Sequence, residues 1–160
     1  MDSFCMDVLE ITKYFIFKGK NSEKYGVTNM KLHKLLYFAQ GFHLAIFNKP
    51  LFLEDIYMYE YGPHIESVDN AYKKYIYITI PEEYNDDFSF KQETRLFLDD
   101  IWNIFKLYTP KVLEEIITND EPWKRARKNL FLYERPTEPL DLKFTKEYFK
   151  KEDIVHEAFK

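Results

Sequence analysis

The sequence predicts a mainly α-helical (α+β) fold: a compact bundle of about six helices around a buried central helix, with a small two-stranded β element. Apolar residues recur at helical spacing in most segments. Residues 28–48 are apolar around nearly the whole helical circumference, which is typical of a helix buried on more than one side. Only two short segments alternate as strands do. A chain of 160 residues can bury about two-thirds of its unfolded surface, so we expect residues 1–160 to form one domain.

The central helix is expected to begin at a cap formed by Thr28 or Asn29 and to end near Asn48, before Pro50. Its main apolar side spans an arc of about 140°. The opposite side is also largely apolar, which predicts a helix around which the others pack. The residues of the main arc include the expected core leucines and are Leu32, Leu35, Leu36, Ala39, Phe42, Ile46 and Phe47.

The remaining helices follow from spacing and from caps. We expect a first helix from a Ser3 cap to about Lys18, with a loop over residues 19–26 after it. Thr109 and Pro110 form a typical helix start. The other predicted helices span residues 65–74, 90–108, 109–119 with Val112, Leu113, Ile116 and Ile117 inward, 121–130, and a final segment capped by Thr145.

The β element is predicted from two alternating segments. Residues 55–61 place Ile56 and Met58 against three tyrosines, and residues 75–80 alternate β-branched and aromatic residues. Gly62 and Pro63 between them are typical of a turn. Two strands alone are only marginally stable, so they are expected to pack on the helices.

Charge and composition exclude several classes of protein. The net charge of −4 disfavours non-specific nucleic-acid binding, which depends on neutralising phosphates. Residues 124–128, KRARK, form the densest basic cluster, and a nucleic-acid-binding regulator using it is retained as an alternative to a solvated helix face. No apolar run is long enough to span a membrane. The acidic N-terminus does not resemble a secretory signal, and the single Cys5 fits a reducing cytoplasm as a small core residue.

No established catalytic, metal or cofactor motif is present in the sequence, so no catalytic residue, metal or cofactor is expected. His33 and His43 share a helix but are ten residues apart, and His43 is expected to be a hydrogen-bonded core residue. His64, with Glu60 and Glu66 nearby, is the only spot that resembles an acid–base pair. A small hydrolase or transferase centred there is a third hypothesis.

Six tyrosines cluster in and between the two predicted strands. Tyrosine offers a large, rigid contact area and is enriched at protein interfaces. A purely structural role, in which half of them cover the edges of a small sheet, is weighed equally. The residues are Tyr57, Tyr59, Tyr61, Tyr72, Tyr75 and Tyr77.

Four blocks in order resemble the Panacea-domain family, which includes SocA-like antitoxins and GepA-like phage-associated proteins. Residues 28–39, TNMKLHKLLYFA, resemble its TNLKLQKLLYFA signature. Residues 49–52, KPLF, and 61–63, YGP, match the two blocks that follow. Residues 113–127 resemble a later block that contains a PW pair. The similarity runs from about Val8 to Phe149.

The chain also departs from this pattern. His33 replaces a glutamine of the signature, His64 follows YGP where valine is usual, and Asn119 replaces a histidine. Residues 57–59, YMY, stand where the family has EAW. These departures suggest contacts with a partner that are tuned differently.

The resemblance implies an antitoxin-type protein-binding module, and no enzyme, in the cytoplasm. Such a protein neutralises a cognate toxin encoded nearby by direct binding, and SocA-like members deliver the toxin to a AAA+ protease as adaptors. An accessory protein of a phage or mobile element is a further alternative, and oligomeric state is left open. The hypothetical contact set is Lys34, Tyr37, Tyr59, Tyr61 and His64, and the motif residues expected to be structural are Leu32, Leu35, Leu36, Gly62, Pro63, Pro122 and Trp123.

Overall fold

A computed structural model describes residues 5–20, 26–151 and 154. Within these residues it contains seven α-helices, one 3-10 turn (Lys73–Tyr75) and one two-stranded antiparallel sheet, which confirms the predicted fold class. The elements are α1 (Val8–Lys20), α2 (Asn29–Phe47), β1 (Tyr57–Tyr59), β2 (Gly62–His64), α3 (Glu66–Tyr72), α4 (Gln92–Phe105), α5 (Pro110–Thr118), α6 (Glu121–Ala126) and α7 (Leu142–Phe149).

The central helix, α2, is the hub of the bundle as predicted. Asn29 and every residue from 31 to 44 are buried, and α4, α5, α7 and β2 all pack against this helix. Thr28 caps it by accepting a hydrogen bond from the Lys31 amide at 3.2 Å, which satisfies a free N–H of the first turn. It ends at Asn48, whose left-handed backbone has φ of 60°. Its residues Leu32, Leu35 and Leu36 belong to the main core.

Helix α7 packs closely on α2 at Gly41. A β-carbon built on Gly41 would lie 2.6 Å from Cδ2 of the Phe149 ring, and Phe149 is itself buried. The missing side chain of Gly41 therefore makes room for an aromatic ring, although glycine is otherwise a poor residue in a helix interior.

The sheet differs from the predicted one. Strand β2 consists of Gly62–His64 and so includes Gly62 and Pro63, the two residues expected to form a turn. It pairs with β1 in the register that places Met58 opposite Pro63. The connection is only Glu60 and Tyr61, and Gly62 has φ of 122°, a backbone that favours glycine. Two strands joined by so short a loop pair at little entropic cost.

The prediction of a strand over residues 75–80 is wrong. The segment begins as a 3-10 turn, and Ile76, Tyr77 and Ile78 are exposed. Ile80 is buried, and its amide donates to the Val27 carbonyl at 2.9 Å. Alternating β-branched residues favour a strand, but this segment follows α3 and pairs with neither strand of the sheet.

Several helix boundaries and caps also differ. Asp141, and not Thr145, caps α7 by accepting from the Phe144 amide at 3.1 Å, while the buried Thr145 hydroxyl donates to the Asp141 carbonyl. On α5, Leu113 and Ile117 are buried, whereas the predicted inward residues Val112 and Ile116 are exposed.

Helix lengths were predicted to within about one turn. Helix α1 begins at Val8 and continues through Gly19 to Lys20. The helix start predicted at Ser3 is wrong, because residues 5–7 are not helical; Ser3 itself lies outside the described residues. The segment expected to be helical over residues 121–130 ends at Ala126. In the described part of the chain, no helix is both long enough and apolar enough to span a bilayer.

Candidate functional site

The β1–β2 hairpin is fixed to the bundle by two side chains of the α6 region. The indole Nε1 of Trp123 donates to the Tyr59 carbonyl at 2.9 Å. Nη1 of Arg127 donates to the Met58 carbonyl at 2.9 Å. Pro122 is buried beside them in the first turn of α6, a position that proline tolerates because it lacks an N–H. These bonds hold the outer backbone of β1.

Arg127 also holds the loop that follows α6. Its Nη2 lies 2.9 Å from each of three carbonyl oxygens, those of Phe131, Leu132 and Glu134. The guanidinium group is buried and bridges the hairpin to this loop. It can do so because arginine has several N–H donors in a fixed planar arrangement. As a result, the backbone of the loop is fixed although its side chains point outward.

The fixed loop displays three apolar side chains in succession. Phe131, Leu132 and Tyr133 are 84%, 61% and 79% exposed. Tyr133 lines a small depression together with Tyr59 and Tyr61 of the hairpin. We call these five residues the aromatic surface. Large exposed apolar side chains on a fixed backbone are typical of interaction sites.

The basic cluster at residues 124–128 is weaker than the sequence suggested. Arg127 is buried and engaged with carbonyl groups. Arg125 lies 3.9 Å from the Asp141 carboxylate and stacks on the Phe144 ring. Of the five residues, only Lys124, Arg125 and Lys128 are exposed basic groups. Three separate charges form a small electrostatic footprint for nucleic acid.

Behind the hairpin, three rings form a stack. The His64 ring lies 4.3 Å from the Tyr59 ring at an interplanar angle of 9°, and 5.5 Å from the His33 ring at 7°. Nε2 of His64 is 2.9 Å from Glu66, so the predicted acid–base pair consists of His64 and Glu66, without Glu60. The stack connects the hairpin to α2.

His33 is held in one neutral form. Its Nδ1 accepts from the Ile65 amide at 3.1 Å, so Nε2 carries the proton and donates to Asn29 Oδ1 at 2.9 Å. Asn29 in turn donates to Asp69 at 3.0 Å. Burial, assisted by nearby His64, lowers the pKa of His33 to about 3. A neutral imidazole with this pattern presents one acceptor and one donor, as a glutamine amide does.

We expect His33→Gln to fold normally and to remove part of the acid sensitivity of the protein. Because the pKa of His33 is about 3 when folded and about 6.5 when unfolded, the unfolded chain binds more protons between these values. Stability therefore falls as the pH drops below about 6.5, by roughly 2 kcal/mol from this group between pH 7 and 5. Urea unfolding of both proteins at pH 7 and pH 5 measures this.

In His33→Gln, the loss between pH 7 and 5 should be smaller than in the wild type by about that amount. At pH 7 the two free energies of unfolding should agree within about 1 kcal/mol, because the hydrogen-bond pattern is retained. An equal acid loss in both proteins would contradict the assignment.

A cavity of about 410 Å³ opens beside the stack, between α2, the hairpin and α3. It is lined by the rings of His33 and His64, by one lysine and by several apolar side chains. The Lys34 ammonium group is buried under Tyr61, with its Nζ 5.9 Å from the ring centre. Burial lowers the pKa of Lys34 to about 8. The lining residues are Asn29, Met30, His33, Lys34, Tyr61, Pro63, His64, Asp69, Ile76, Tyr77 and Glu114.

The structure brings most of the predicted contact set together. Lys34, Tyr61 and His64 line the cavity, and Tyr59 stacks on His64. Tyr37 does not reach this surface.

Tyr37 lies one turn after Lys34 on α2 and is completely buried in the core. Its ring packs on Phe149, and its hydroxyl donates to the Asp120 carboxylate at 3.5 Å. Tyr148 donates to the same carboxylate at 3.0 Å. Burial raises the pKa of Asp120 to about 6. Tyr37 therefore joins α2, α6 and α7 and is unavailable to a partner.

Sequence reasoning missed the exposed loop and the arginine that holds it. Phe131, Leu132 and Tyr133 are three consecutive apolar residues after a short helix, a pattern that the sequence does not distinguish from a buried strand. Arg127 lies within the basic cluster at residues 124–128, where the sequence alone does not distinguish it from the exposed basic residues. His43 is buried and behaves as predicted, because its Nδ1 is 2.7 Å from the Lys49 carbonyl.

Metal-binding clusters are absent from the described residues, where no group of three or more histidine, cysteine or acidic residues is placed to hold an ion. The described part of the site consists of apolar and aromatic contact area, the buried cations Lys34 and Arg127, and two hydrogen-bonded histidines. His33 is linked through Asn29 to Asp69, and His64 is linked to Glu66.

Fold and site together define a mainly helical bundle with an aromatic surface beside a cavity. The sequence matches the family described as antitoxin SocA-like, Panacea domain, over residues 32–124, more than half of the chain. The chain belongs to this antitoxin family. The match includes the central helix from Leu32, the hairpin with Gly62 and Pro63, and the α6 pair Pro122 and Trp123. Searches of the curated proteins and of the solved structures gave no match.

Proposed function

We propose that this protein neutralises a cognate toxin by direct binding through the aromatic surface. The observation that carries the proposal is the exposure of Phe131, Leu132 and Tyr133 on a backbone fixed by Arg127. Membership of an antitoxin family supports a toxin as the partner. The toxin is expected to be encoded nearby and to be met in the cytoplasm.

The physical properties of this surface favour tight protein binding. Aromatic side chains bury a large area and lose little rotamer entropy, and they dominate the energetics of many interfaces. The loop is already ordered in the free protein, so binding does not have to supply the free energy that ordering it would cost. A bound toxin would cover Tyr59 and Tyr61 along with the loop.

Neutralisation by direct masking requires no reaction at His64. We include in the proposal an adaptor role, in which the bound toxin is handed to a AAA+ protease. Addition of a protease to a reconstituted antitoxin–toxin complex separates the two modes: degradation of the toxin supports the adaptor role, and a stable, inactive complex supports masking alone.

The primary test is coexpression with the product of the neighbouring gene. We expect that product to be toxic when expressed alone, to be harmless with the antitoxin, and to copurify with it. A harmless neighbour, together with failure to capture any toxic product, would contradict the proposal.

A surface variant tests where the toxin binds. We expect Phe131→Ser combined with Tyr133→Ser to weaken toxin binding about 100-fold, because two exposed aromatic anchors are lost. The matched control is Leu96→Ser combined with Leu107→Ser, two residues that are 56% and 67% exposed on and after α4. Titration calorimetry on the purified proteins measures both affinities. Equal affinities of the two double variants would place the interface elsewhere.

A further inference from the structure

The cavity beside the hairpin contains a buried cation that lacks a close counter-ion. Lys34 is only 1% exposed. Its Nζ makes one long hydrogen bond, 3.4 Å to the Met30 carbonyl, and within the described residues no carboxylate lies within the 4.0 Å of an ion pair. A buried ammonium group usually needs a paired charge and several acceptors.

The lysine one turn earlier makes a shorter hydrogen bond. Lys31 is also buried, and its Nζ donates to the Lys106 carbonyl at 2.7 Å, at the end of α4. The hydrogen bond of Lys31 joins α2 to the end of α4, whereas the longer hydrogen bond of Lys34 stays within α2. Glu114 lies close enough to act on Lys34 electrostatically, but its carboxylate binds Lys111 at 3.3 Å.

The lining of the cavity limits which anion could approach Lys34. Asp69 and Glu114 also line it and would repel a dianion such as phosphate more strongly than a group with a single negative charge. A group with a single negative charge balances the one positive charge of Lys34 and leaves no excess charge between them. Met30, Pro63 and Ile76 supply apolar walls, and 410 Å³ lies within the usual range for binding pockets. A carboxylate carried on an apolar stem fits these properties.

We propose that this cavity receives a carboxylate of the bound partner, from an acidic side group or from the carboxyl terminus of the polypeptide, with the Lys34 ammonium group as its counter-ion. The identity of the partner rests on the proposed function, whereas the chemistry of the cavity does not. Tyr61 lines both the cavity and the depression shared with Tyr133. A protein seated on the aromatic surface is therefore adjacent to the mouth of the cavity.

Small probes test the cavity without the toxin. The full-length protein is labelled with 13C at its methionine methyl groups, and the Met30 signal is assigned by Met30→Leu. N-acetylphenylalanine represents a carboxyl terminus, and N-acetylglutamic acid α-amide represents an acidic side group. N-acetylphenylalaninamide is the neutral match, and inorganic phosphate tests a dianion.

We expect at least one of the two carboxylate probes to shift the Met30 signal saturably, and the one that binds more tightly identifies the source. The neutral amide and phosphate should bind at least tenfold more weakly. Equal binding of the acid and its amide, tighter binding of phosphate, or no shift with any probe would overturn the proposal. These comparisons use the wild-type protein and do not depend on the folding of a variant.

Lys34→Met then tests the counter-ion, with Lys31→Met as the control of matched burial. Lys34→Met should lose at least tenfold in affinity for the carboxylate probe and for the toxin, while Lys31→Met should keep its affinity for the probe. Retained probe binding in Lys34→Met would overturn the role of this lysine. If the probes bind but no toxin copurifies, the proposed function fails and the carboxylate site stands. If the toxin copurifies but the carboxylate probes do not bind, only the carboxylate site fails.

Discussion

Replacing Gly41 by alanine is expected to destabilise the protein by about 2–3 kcal/mol, although alanine is the better helix former by about 1 kcal/mol. The new β-carbon would lie 2.6 Å from both Cδ2 and Cζ of the Phe149 ring, a separation that forces the ring to move. Phe149 is 1% exposed and touches Tyr37, Phe38 and Phe42. Because interiors are close-packed, this shift disturbs the whole contact between α2 and α7. Urea unfolding at pH 7 measures the change.

A second-site variant separates steric overlap from any other effect of Gly41→Ala. Phe149→Leu alone should cost about 1–2 kcal/mol, because a smaller side chain leaves a cavity. In the double variant the added methyl group occupies part of that cavity, so the combined loss should be smaller than the sum of the single losses. If Gly41→Ala alone stabilises the protein, helix propensity decides at this position and the close approach of α7 is not a constraint.

The central helix could be predicted because its signals are local and agree with one another. Thr28 supplies a cap, apolar residues cover the helix on all sides, and Pro50 follows its end. When capping, periodicity and termination indicate the same segment, the tertiary contacts stabilise the structure that the local sequence already favours. The start of α5 at Thr109 and Pro110 was predictable for the same reason.

The second strand was predicted in the wrong place because strand propensity does not specify a partner. Residues 75–80 have the stronger β composition, but Gly62–His64 lie two residues after β1 and pair first along the sequence. Proline in a strand is usually confined to an edge, and in a sheet of two strands each strand is an edge. Pro63 is therefore tolerated at a position that sequence patterns assign to a turn.

The candidate site could be predicted only in part, because burial depends on contacts that are distant in sequence. Lys34, Tyr61 and His64 were expected to act together and do line one cavity. Tyr37 lies on the same helix but faces Asp120 and Phe149. Its aromatic character alone does not distinguish a surface anchor from a core residue.

Replacing Arg127 by methionine should have the second large effect, a loss of about 3 kcal/mol in the free energy of unfolding. The guanidinium group donates to the carbonyls of Met58, Phe131, Leu132 and Glu134. The bond to Met58 is buried, and a buried acceptor left without its charged donor is costly. Arg127→Lys should recover less than half of the loss, because a single ammonium group cannot bridge the hairpin and the loop.

The neighbouring arginine provides the control for charge. Arg125 is exposed, and its ion pair with Asp141 spans 3.9 Å, so Arg125→Met should change stability by about 0.5 kcal/mol or less. Equal losses in the two methionine variants, measured by urea unfolding, would show that the bonds of Arg127 to the loop contribute nothing of their own.

Arg127→Met also separates the effect of loop order on toxin binding from the effect of global stability. Gly41→Ala and Arg127→Met are expected to lose similar stability, but Gly41 contacts Phe149 in the core, whereas Arg127 fixes the loop of the aromatic surface. At a temperature where both variants remain folded, Gly41→Ala should bind the toxin with wild-type affinity. Arg127→Met should bind at least tenfold more weakly, because the loop must then be ordered during binding. If both variants bind equally well, the fixed backbone of the loop is not what gives the aromatic surface its affinity.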